Sequence, residues 1–423
     1  MDINQMLKGV LCEKCGKEHK CPIERVYIEN GAISYLGDFA SRYKSVLIVA
    51  DENTFSAAGD KTEAQLLGKI KDKVIFSGGT LVIPNEEAIE SVYAKMDGVD
   101  LIVGIGSGVI QDLCKYVSHF KFVPYAVVAT APSMDGYASV GAALILNEMK
   151  VTLNARVPYA IVAEDDVLCT APTDMLQSGY GDIIGKYSCL NDWKLAHLLR
   201  NEYFCDFVYD TVMQTVKNTE STAKAILERN PGAIRNLMEG LVLVGIMMSY
   251  VGNSRPASGS EHHLSHFFEI TGLLNHSPYY LHGIDVLYAA AVTAQLREKI
   301  LMNAPPFEAK INTAEVRNSE IRKVYSSAAD GVIALQEKVG FYAELDTSVF
   351  EAHWDEICEI LTEAPDYRTM LTYVNAIGLD ILAFEAFYGK KVIKDAILYA
   401  KDLKDRYTVL WLAYALGISE FQA

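Results

Sequence analysis

The sequence predicts an α/β domain built on a parallel sheet, followed by an all-helical domain. Over the first 170 residues, short continuous apolar runs alternate with amphipathic stretches. After about residue 171, apolar residues recur with the 3.6-residue period of helices, and almost no strand-like alternation is left. A chain of 423 residues is also too long for one ordinary hydrophobic core. We therefore expect two domains, 1–171 and 172–423, with residues 1–24 as a candidate extension containing cysteine and histidine.

Four continuous apolar runs predict the strands of the sheet. They cover residues 45–50, 73–78, 101–108 and 125–130. Runs without alternation are typical of parallel strands that are buried on both faces. Helix-like segments at 85–96 and 109–120 lie between them, so right-handed crossovers are expected. In the second part, Pro172 followed by Thr173 predicts the start of the first of several long helices.

Composition and charge exclude several classes of protein. Half of the residues are hydrophobic, which is typical of a globular chain, and the formal charge of −16 argues against nucleic-acid or anionic-membrane binding. The N-terminus does not resemble a secretory signal, and the longest apolar run, 241–251, is shorter than the roughly 20 residues of a membrane span. Most of the eight cysteines are scattered singly, as in reduced proteins. We expect a cytoplasmic protein without membrane insertion.

A glycine-rich turn follows the third predicted strand. Gly104, Gly106 and Gly108 end that strand and begin a helix, where backbone amides attract phosphate. The spacing is not that of the dinucleotide fingerprint, because the third glycine follows after two residues rather than three. The turn therefore indicates either a phosphate-binding loop of a cofactor or a tight turn that serves packing alone.

Polar residues at two other strand ends favour a dinucleotide. Asp51 directly follows the first strand, where a carboxylate can accept hydrogen bonds from a ribose, although it could equally cap a helix. Thr130 follows the fourth strand and opens the polar segment TAPSMDGYAS, which includes Ser133, Asp135 and Ser139. Open parallel sheets bind ligands at this edge.

A histidine cluster and one aspartate predict a metal site. In SGSEHHLSHFFE, a helix capped by Ser258 or Ser260 would place His262 and His266 one turn apart, and His282 follows in YYLHGIDV. Asp182 stands in an apolar segment behind two glycines, so it is costly to bury unless it binds a cation or metal. Its alternative is a simple ion pair with Lys186, one helical turn later. Three protein ligands would leave an open position for substrate.

The N-terminal segment offers a second candidate metal site. Cys12, Cys15, His19 and Cys21 lie within ten residues of one another, and such soft ligands suit zinc. The spacing after Cys15 is short for a zinc site, so a hairpin with free thiols is the alternative.

Taken together, the motifs resemble those of the bacterial type of sn-glycerol-1-phosphate dehydrogenase. The segments are GIGSGVIQDLCKY, TAPSMDGYAS, SGYGDIIGK, SRPASGSEHHLSH and LHGIDV, and the resemblance extends nearly end to end. That family belongs with iron-containing alcohol dehydrogenases, glycerol dehydrogenases and dehydroquinate synthases. The resemblance implies a dehydroquinate synthase-like fold and NAD(P)-linked, reversible reduction of dihydroxyacetone phosphate to sn-glycerol 1-phosphate. It also implies a homodimer that binds a small phosphate substrate.

The resemblance assigns roles to individual residues. It implies that Asp182, His262 and His282 hold a divalent metal and contact the substrate. Asp135, His266 and Lys186 would be the catalytic residues, with Asp135 also binding substrate. His266, Asp135 or a water chain would handle the proton. Lys186 stands where iron-type relatives place a fourth ligand, a histidine, which favours zinc or nickel over iron. The residues implied to bind the cofactor are Asp51, Gly106, Ser107, Gly108, Thr130, Ser133 and Ser139.

Three alternatives remain on the sequence alone. A glycerol dehydrogenase would use the same chemistry on an uncharged substrate, and the difference is a phosphate site for which Lys186 and Arg255 are candidates, unless they are structural ion-pair partners. A dehydroquinate synthase-like lyase would need more cations in the site. An inactive cofactor-binding or interaction protein on the same scaffold would lack turnover altogether.

Overall fold

The computed structural model describes residues 2–79, 82–146, 149–308 and 312–423. Two compact units divide the chain. The first unit contains Met1–Gly179 and Lys224–Ser254, and the second contains Tyr180–Ala223 and Arg255–Ala423.

A parallel sheet forms the centre of the first unit. The strands in chain order are β1 (Val10–Leu11), β2 (Glu18–His19), β3 (Arg25–Ile28), β4 (Val46–Asp51), β5 (Ile70–Phe76), β6 (Leu101–Gly106), β7 (Tyr125–Ala129), β8 (Gly141–Leu146), β9 (Met149–Asn154) and β10 (Ala160–Ala163). Six of them pair in parallel in the order β3-β10-β7-β6-β4-β5. The antiparallel pairs β1-β2 and β8-β9 lie outside this sheet.

Helices connect the strands of the first unit and make up the second. In chain order they are α1 (Ile3–Met6), α2 (Leu36–Ala40), α3 (Glu52–Gln65), α4 (Glu86–Tyr93), α5 (Gly108–Lys121), α6 (Asp165–Leu168), α7 (Thr173–Ile184), α8 (Lys186–Arg200), α9 (Asp206–Thr219), α10 (Ala223–Leu227), α11 (Pro231–Val251), α12 (Ser260–Leu274), α13 (His282–Leu301), α14 (Ala314–Tyr325), α15 (Ala329–Val339), α16 (Thr347–Ala352), α17 (Trp354–Glu363), α18 (Tyr367–Ala376), α19 (Ile381–Tyr399, broken at Gly389) and α20 (Val409–Ala415). Short 3₁₀ turns occur at Ala32–Tyr35, Asp135–Ala138, Ser326–Ala328 and Ala400–Leu403.

The predicted fold class is confirmed, and the four predicted strands are β4 to β7. Strands β6 and β7 are buried along their whole length, and β4 is buried up to its last residue, as the continuous apolar runs predict. The sequence reading missed β3 and β10, which add two more strands beside β7. Each has only four residues, so neither gives a run long enough to be distinguished from a loop.

The limits of the two units differ from the predicted boundary between residues 171 and 172. Helix α11 belongs to the first unit because it packs on the turn Asp135–Ala138. A Cβ atom at Gly245 would lie 2.8 Å from the carbonyl oxygen of Asp135, so helix and turn are nearly in backbone contact. The Ser249 hydroxyl also donates to the carbonyl oxygen of Ala138 at 3.0 Å. The helical period of a sequence indicates which side of a helix is buried, but it does not indicate the unit against which the helix packs.

Helix α11 is also apolar enough to raise the question of a membrane span. Among the described residues it is the helix that passes by length and composition, with a mean hydropathy of 1.4, and 72% of that window is buried by the rest of the protein. The bent pair Trp354–Ala376 and Ile381–Leu403 passes only when it is counted as one span. A core helix gives the same result, so this is weak evidence for a span.

Helices of the second unit surround a core of its own. Its largest member is Trp411, fully buried on α20, against which residues of α8, α13 and α17 pack. Helix α12 begins differently from the prediction, because its N-cap is Gly259 and neither Ser258 nor Ser260 caps it with a side chain. The carboxylate of Asp192 on α8 instead accepts from the backbone N–H of Ser260 at 2.6 Å. A distant side chain has taken the local capping role.

Candidate metal centre and cofactor loops

Asp182, His262 and His282 come together in the second unit. One ligand atom from each lies within 4.8 Å of the others. The Nε2 atom of His262 is 3.6 Å from Oδ1 of Asp182, and the rings of His262 and His282 are 4.9 Å apart between centroids. Tetrahedral bonds of about 2.1 Å to nitrogen and oxygen would place two such ligand atoms about 3.4 Å apart. The three residues therefore fit a divalent metal.

The backbone brings the ligands together through glycine. Asp182 lies on α7, and His282 is the first residue of α13. A Cβ atom at Gly181 would lie 2.2 Å from the carbonyl oxygen of Gly283, closer than real Cβ atoms approach. The two helices can therefore meet at this point only because residue 181 has no side chain.

Glu261 orients the ring of His262. Its Oε1 atom lies 2.6 Å from Nδ1 of His262. Burial, and then the charge of Lys186, lower the pKa of His262 well below its usual range, so this ring is neutral. With Nδ1–H donating to Glu261, the lone pair of Nε2 is directed toward Asp182. Such carboxylate–histidine pairs are the usual outer support of a metal site.

Ser265 supports His282 in the same way. The Ser265 hydroxyl donates to the carbonyl oxygen of His282 at 3.3 Å, and its oxygen lies 3.2 Å from Nδ1 of that ring. Because the hydroxyl proton is used on the carbonyl, the oxygen can accept from Nδ1–H. Nε2 of His282 is then the metal-binding atom. The sequence reading named neither Glu261 nor Ser265, although both lie within three residues of His262.

Asp182 and Lys186 form the ion pair that the sequence analysis gave as the alternative to metal binding by Asp182. The Nζ atom of Lys186 is 2.6 Å from Oδ1 of Asp182, and both side chains are fully buried. Burial alone would raise the pKa of Asp182, but the charge of the adjacent Lys186 outweighs it and lowers that pKa. Asp182 therefore stays ionised. One carboxylate and two imidazoles are a donor set that suits zinc or nickel.

His266 lies beside this group rather than in it. Its ring centroid is 5.5 Å from that of His282 and 6.3 Å from that of His262. Its Nδ1 atom is 4.0 Å from a carboxylate oxygen of Glu269. The structure thus separates two ligand histidines from a neighbouring third one, which the one-turn spacing on α12 did not do.

Arg255 has structural partners in the second unit. Its guanidinium is 1% exposed and pairs with Glu202 at 3.0 Å. It also donates to the carbonyl oxygens of Asp192 and Tyr407, at 3.2 and 2.6 Å. These contacts favour the structural reading of Arg255 over the reading as a phosphate ligand.

The glycine turn lies at the carboxyl end of β6 in the first unit. A Cβ atom at Gly106 would lie 2.8 Å from the side chain of Ile110, so packing against α5 already requires glycine there. Gly108 has no such requirement, since the nearest atoms, in Met134, are 3.8 Å away. Ser107 is the N-cap of α5 without a side-chain capping bond. Packing explains one glycine, and the open space at Gly108 is consistent with a ligand approaching the backbone.

Asp51 caps the next helix along the sheet edge. Its Oδ1 atom accepts from the backbone N–H groups of Asn53 and Thr54 at 2.8 and 3.0 Å. This is the helix-cap reading that the sequence left open. A contact with ribose stays a prediction.

The polar segment after β7 is held by a buried lysine that the sequence reading missed. Thr130, Ser133, Asp135 and Ser139 are each at most 9% exposed. The fully buried Nζ atom of Lys115 on α5 donates to the carbonyl oxygens of Gly136 and Gly141 at 2.5 and 2.9 Å, and lies 3.3 Å from the hydroxyl of Ser139. A lysine among the apolar positions of α5 was the available signal. It fixes the conformation of the turn that carries Asp135.

Comparison with known proteins identifies the class of the fold. Residues 27–172 match the family model described as iron-containing alcohol dehydrogenase. The crystal structure of sulfoacetaldehyde reductase from Bifidobacterium kashiwanohense in complex with NAD+ superposes with a TM-score of 0.61 at 12% identity, over 95% of this chain and 98% of that one. The fold is that of the iron-containing alcohol dehydrogenases.

Two curated relatives narrow the class to one family. Glycerol-1-phosphate dehydrogenase [NAD(P)+] from Geobacillus thermodenitrificans (strain NG80-2) is 34% identical, covering 70% of this chain and 76% of the relative. The protein of that name from Geobacillus stearothermophilus is 31% identical, over 83% of this chain and 95% of the relative. This chain belongs to the glycerol-1-phosphate dehydrogenase [NAD(P)+] family.

Proposed function

We propose that this protein catalyses the reversible, NAD(P)H-dependent reduction of dihydroxyacetone phosphate to sn-glycerol 1-phosphate, with zinc or nickel held by Asp182, His262 and His282. The proposal depends mainly on one observation, that one potential ligand atom from each of these three residues lies within 4.8 Å of the others. The chain that contains them belongs to this family. Three protein ligands leave a coordination position for the substrate oxygen, as catalytic rather than structural sites do.

Each part of the chain has a defined task in this reaction. A divalent ion at the site supplies Lewis-acid chemistry to the substrate oxygen, and the nicotinamide supplies or accepts the hydride. Glu261 and Ser265 hold the two imidazoles in the tautomer whose Nε2 atoms bind a cation. Lys186 keeps Asp182 ionised. His266, whose ring lies beside the ligand histidines, is the proposed proton carrier, with Asp135 as the other candidate.

The cofactor would be bound by the first unit. We assign its phosphates to the backbone of Gly106, Ser107 and Gly108 at the start of α5, where helix amides favour an anion. The hydroxyls of Thr130, Ser133 and Ser139 follow β7, whose carboxyl end lies next to that of β6. Asp51, at the end of β4, would accept from ribose. Its charge favours NAD over NADP, since it would repel a 2′-phosphate.

The test is an NADH-oxidation assay with dihydroxyacetone phosphate, run before and after chelation. Activity with this substrate should disappear on chelation and return with added zinc or nickel. His262→Ala should lose both metal and turnover. The matched control is His263→Leu, because His263 is fully buried, neither ring nitrogen has a hydrogen-bond partner in the described structure, and it is outside the ligand group. An active, metal-free His262→Ala protein would contradict the assignment.

A glycerol dehydrogenase remains the second candidate because of one observation. The two cations considered for the phosphate, Lys186 and Arg255, are both engaged in buried ion pairs. The same assay with dihydroxyacetone decides between the two functions. A glycerol dehydrogenase would turn over the uncharged ketone, whereas a glycerol-1-phosphate dehydrogenase would prefer dihydroxyacetone phosphate. Cytoplasmic location and homodimer formation stay predictions.

A further inference from the structure

Three metal-binding side chains of the N-terminal segment meet in the first unit, separately from the centre described above. Ligand atoms of Cys12, Cys15 and His19 lie within 4.8 Å of one another. The Sγ atom of Cys15 is 3.4 Å from Nε2 of His19. Zinc bonds of about 2.3 Å to sulfur and 2.1 Å to nitrogen, at a tetrahedral angle, would place these two atoms about 3.6 Å apart. The observed distance is close to that value.

The backbone of the segment forms a turn that contains Cys12 and Cys15. Strands β1 and β2 pair antiparallel, with Val10 opposite His19. Between them, the N–H of Cys12 donates to the carbonyl oxygen of Lys17 at 2.9 Å, and the N–H of Gly16 donates to that of Cys12 at 2.8 Å. Gly16 has φ of 72°, a conformation that favours glycine. Only three residues separate Cys15 from His19, and this short spacing argued against a metal site on the sequence alone. In the structure, the hairpin places the two residues together despite that spacing.

His19 is oriented from outside the hairpin. Its ring is 1% exposed and stacks on Tyr250 of α11, with centroids 5.1 Å apart and planes 4° from parallel. Its Nδ1 atom lies 3.1 Å from the carbonyl oxygen of Tyr250. Since a carbonyl can only accept, Nδ1 carries the proton and the lone pair of Nε2 is directed at Cys15. Metal-binding histidines commonly donate their second nitrogen to a carbonyl in this way.

We propose that Cys12, Cys15 and His19 bind a zinc ion that orders the N-terminal segment, apart from the centre formed by Asp182, His262 and His282. Binding forms two Zn–S bonds and one Zn–N bond, and the two thiol protons pass to solvent. Cys21 is not a member of the ligand group. It is instead buried beside Ser249, and burial raises the pKa of its thiol. The zinc ligands are therefore not the set of four that sequence proximity suggested.

The ion would fasten the N-terminal segment to α11. Tyr250 connects the two, because its carbonyl accepts from His19 and its hydroxyl donates to the carbonyl oxygen of Met6. Asn4 also donates to the carbonyl oxygen of Val26 on β3, at 2.9 Å. Metal binding would add to the order of this segment, because its ligands are not held together in the unfolded chain.

The test measures metal content in protein purified under reducing conditions, with His262→Ala as the background so that the other centre does not contribute. This variant should retain one equivalent of zinc per chain, with sulfur neighbours at about 2.3 Å in X-ray absorption. Adding Cys15→Ser should remove that zinc, whereas Cys21→Ser, the matched control, should retain it. Hydrogen exchange over residues 10–21 should rise with the loss.

Three results would overturn the proposal. They are zinc absent from the His262→Ala protein, zinc unaffected by Cys15→Ser, or an absorption spectrum showing nitrogen and oxygen neighbours only. A Cys12–Cys15 disulfide in place of zinc, found by intact mass, would identify a redox pair instead. If the Cys15→Ser protein fails to fold, the absorption spectrum of the His262→Ala protein decides alone. None of these readouts depends on turnover, so the proposed function is tested separately.

Discussion

Gly181→Ala should separate the metal ligands without touching any of them. The new Cβ atom would lie 2.2 Å from the carbonyl oxygen of Gly283, and contacts under 3.0 Å are essentially never seen, so the helices must move apart by at least about 0.8 Å. Asp182 directly follows Gly181, and His282 directly precedes Gly283. Metal–ligand distances tolerate about 0.2 Å, so this displacement is several times too large.

The expected loss is at least about 100-fold in metal affinity, which corresponds to about 2.8 kcal/mol. The crowding itself should cost about 1–3 kcal/mol of folding stability. Competition with a chelator measures the affinity, and urea unfolding measures the stability. The matched control is Gly331→Ala on α15, where nothing lies within 4 Å of the added carbon. That change should leave affinity unaltered and stability equal or higher by about 0.5–1 kcal/mol. A folded Gly181→Ala protein with the affinity of the unaltered protein would refute the reasoning.

Three further predictions concern buried polar groups. Glu261→Gln should weaken metal binding about 10- to 100-fold, because a neutral amide is a weaker acceptor than a carboxylate for the Nδ1–H of His262; an unchanged affinity in chelator competition would contradict this. Lys115→Met should raise KM for NAD(P)H and lower the free energy of unfolding by about 1–3 kcal/mol, because the carbonyl oxygens of Gly136 and Gly141 lose their donor. Metal content is the control and should not change. Burial raises the pKa of Asp285 well above its usual range, so its contribution to stability is present below about pH 4 and is lost as the pH rises. Asp285→Asn should therefore gain stability relative to the unaltered protein as the pH rises above about 4, and a urea midpoint difference independent of pH would exclude this account.

Much of the architecture can be predicted from the sequence because buried positions recur with the period of the helix or strand that contains them. Strands β4, β6 and β7 are continuous apolar runs, and such runs have few alternatives in a chain that alternates them with helices. Strand β5 lies at the edge of the sheet, and its residues are exposed in alternation. Strands β3 and β10 escaped because four residues carry too little periodicity. Helix α11 was recognised as a helix, but its place in the first unit depends on contact with the turn Asp135–Ala138, which no local pattern records.

For the candidate metal centre, the sequence by itself determined the types of candidate ligand and their order along the chain. A carboxylate in apolar surroundings needs a cation, and imidazoles are common metal ligands, so Asp182, His262 and His282 could be selected as candidates from chemistry and motif alone. Only the tertiary structure decided that His266 lies beside the site, that Lys186 pairs with Asp182, and that Glu261 and Ser265 orient the rings.

The N-terminal segment shows the same division. Its composition of cysteine and histidine was visible in the sequence, but neighbours along the chain are not always neighbours in space. Cys21 drops out of the ligand group, and the carbonyl of Tyr250 that orients His19 lies 231 residues away. The physical reason is that residue type sets which bonds a side chain can form, whereas backbone packing sets which partner is within about 3 Å.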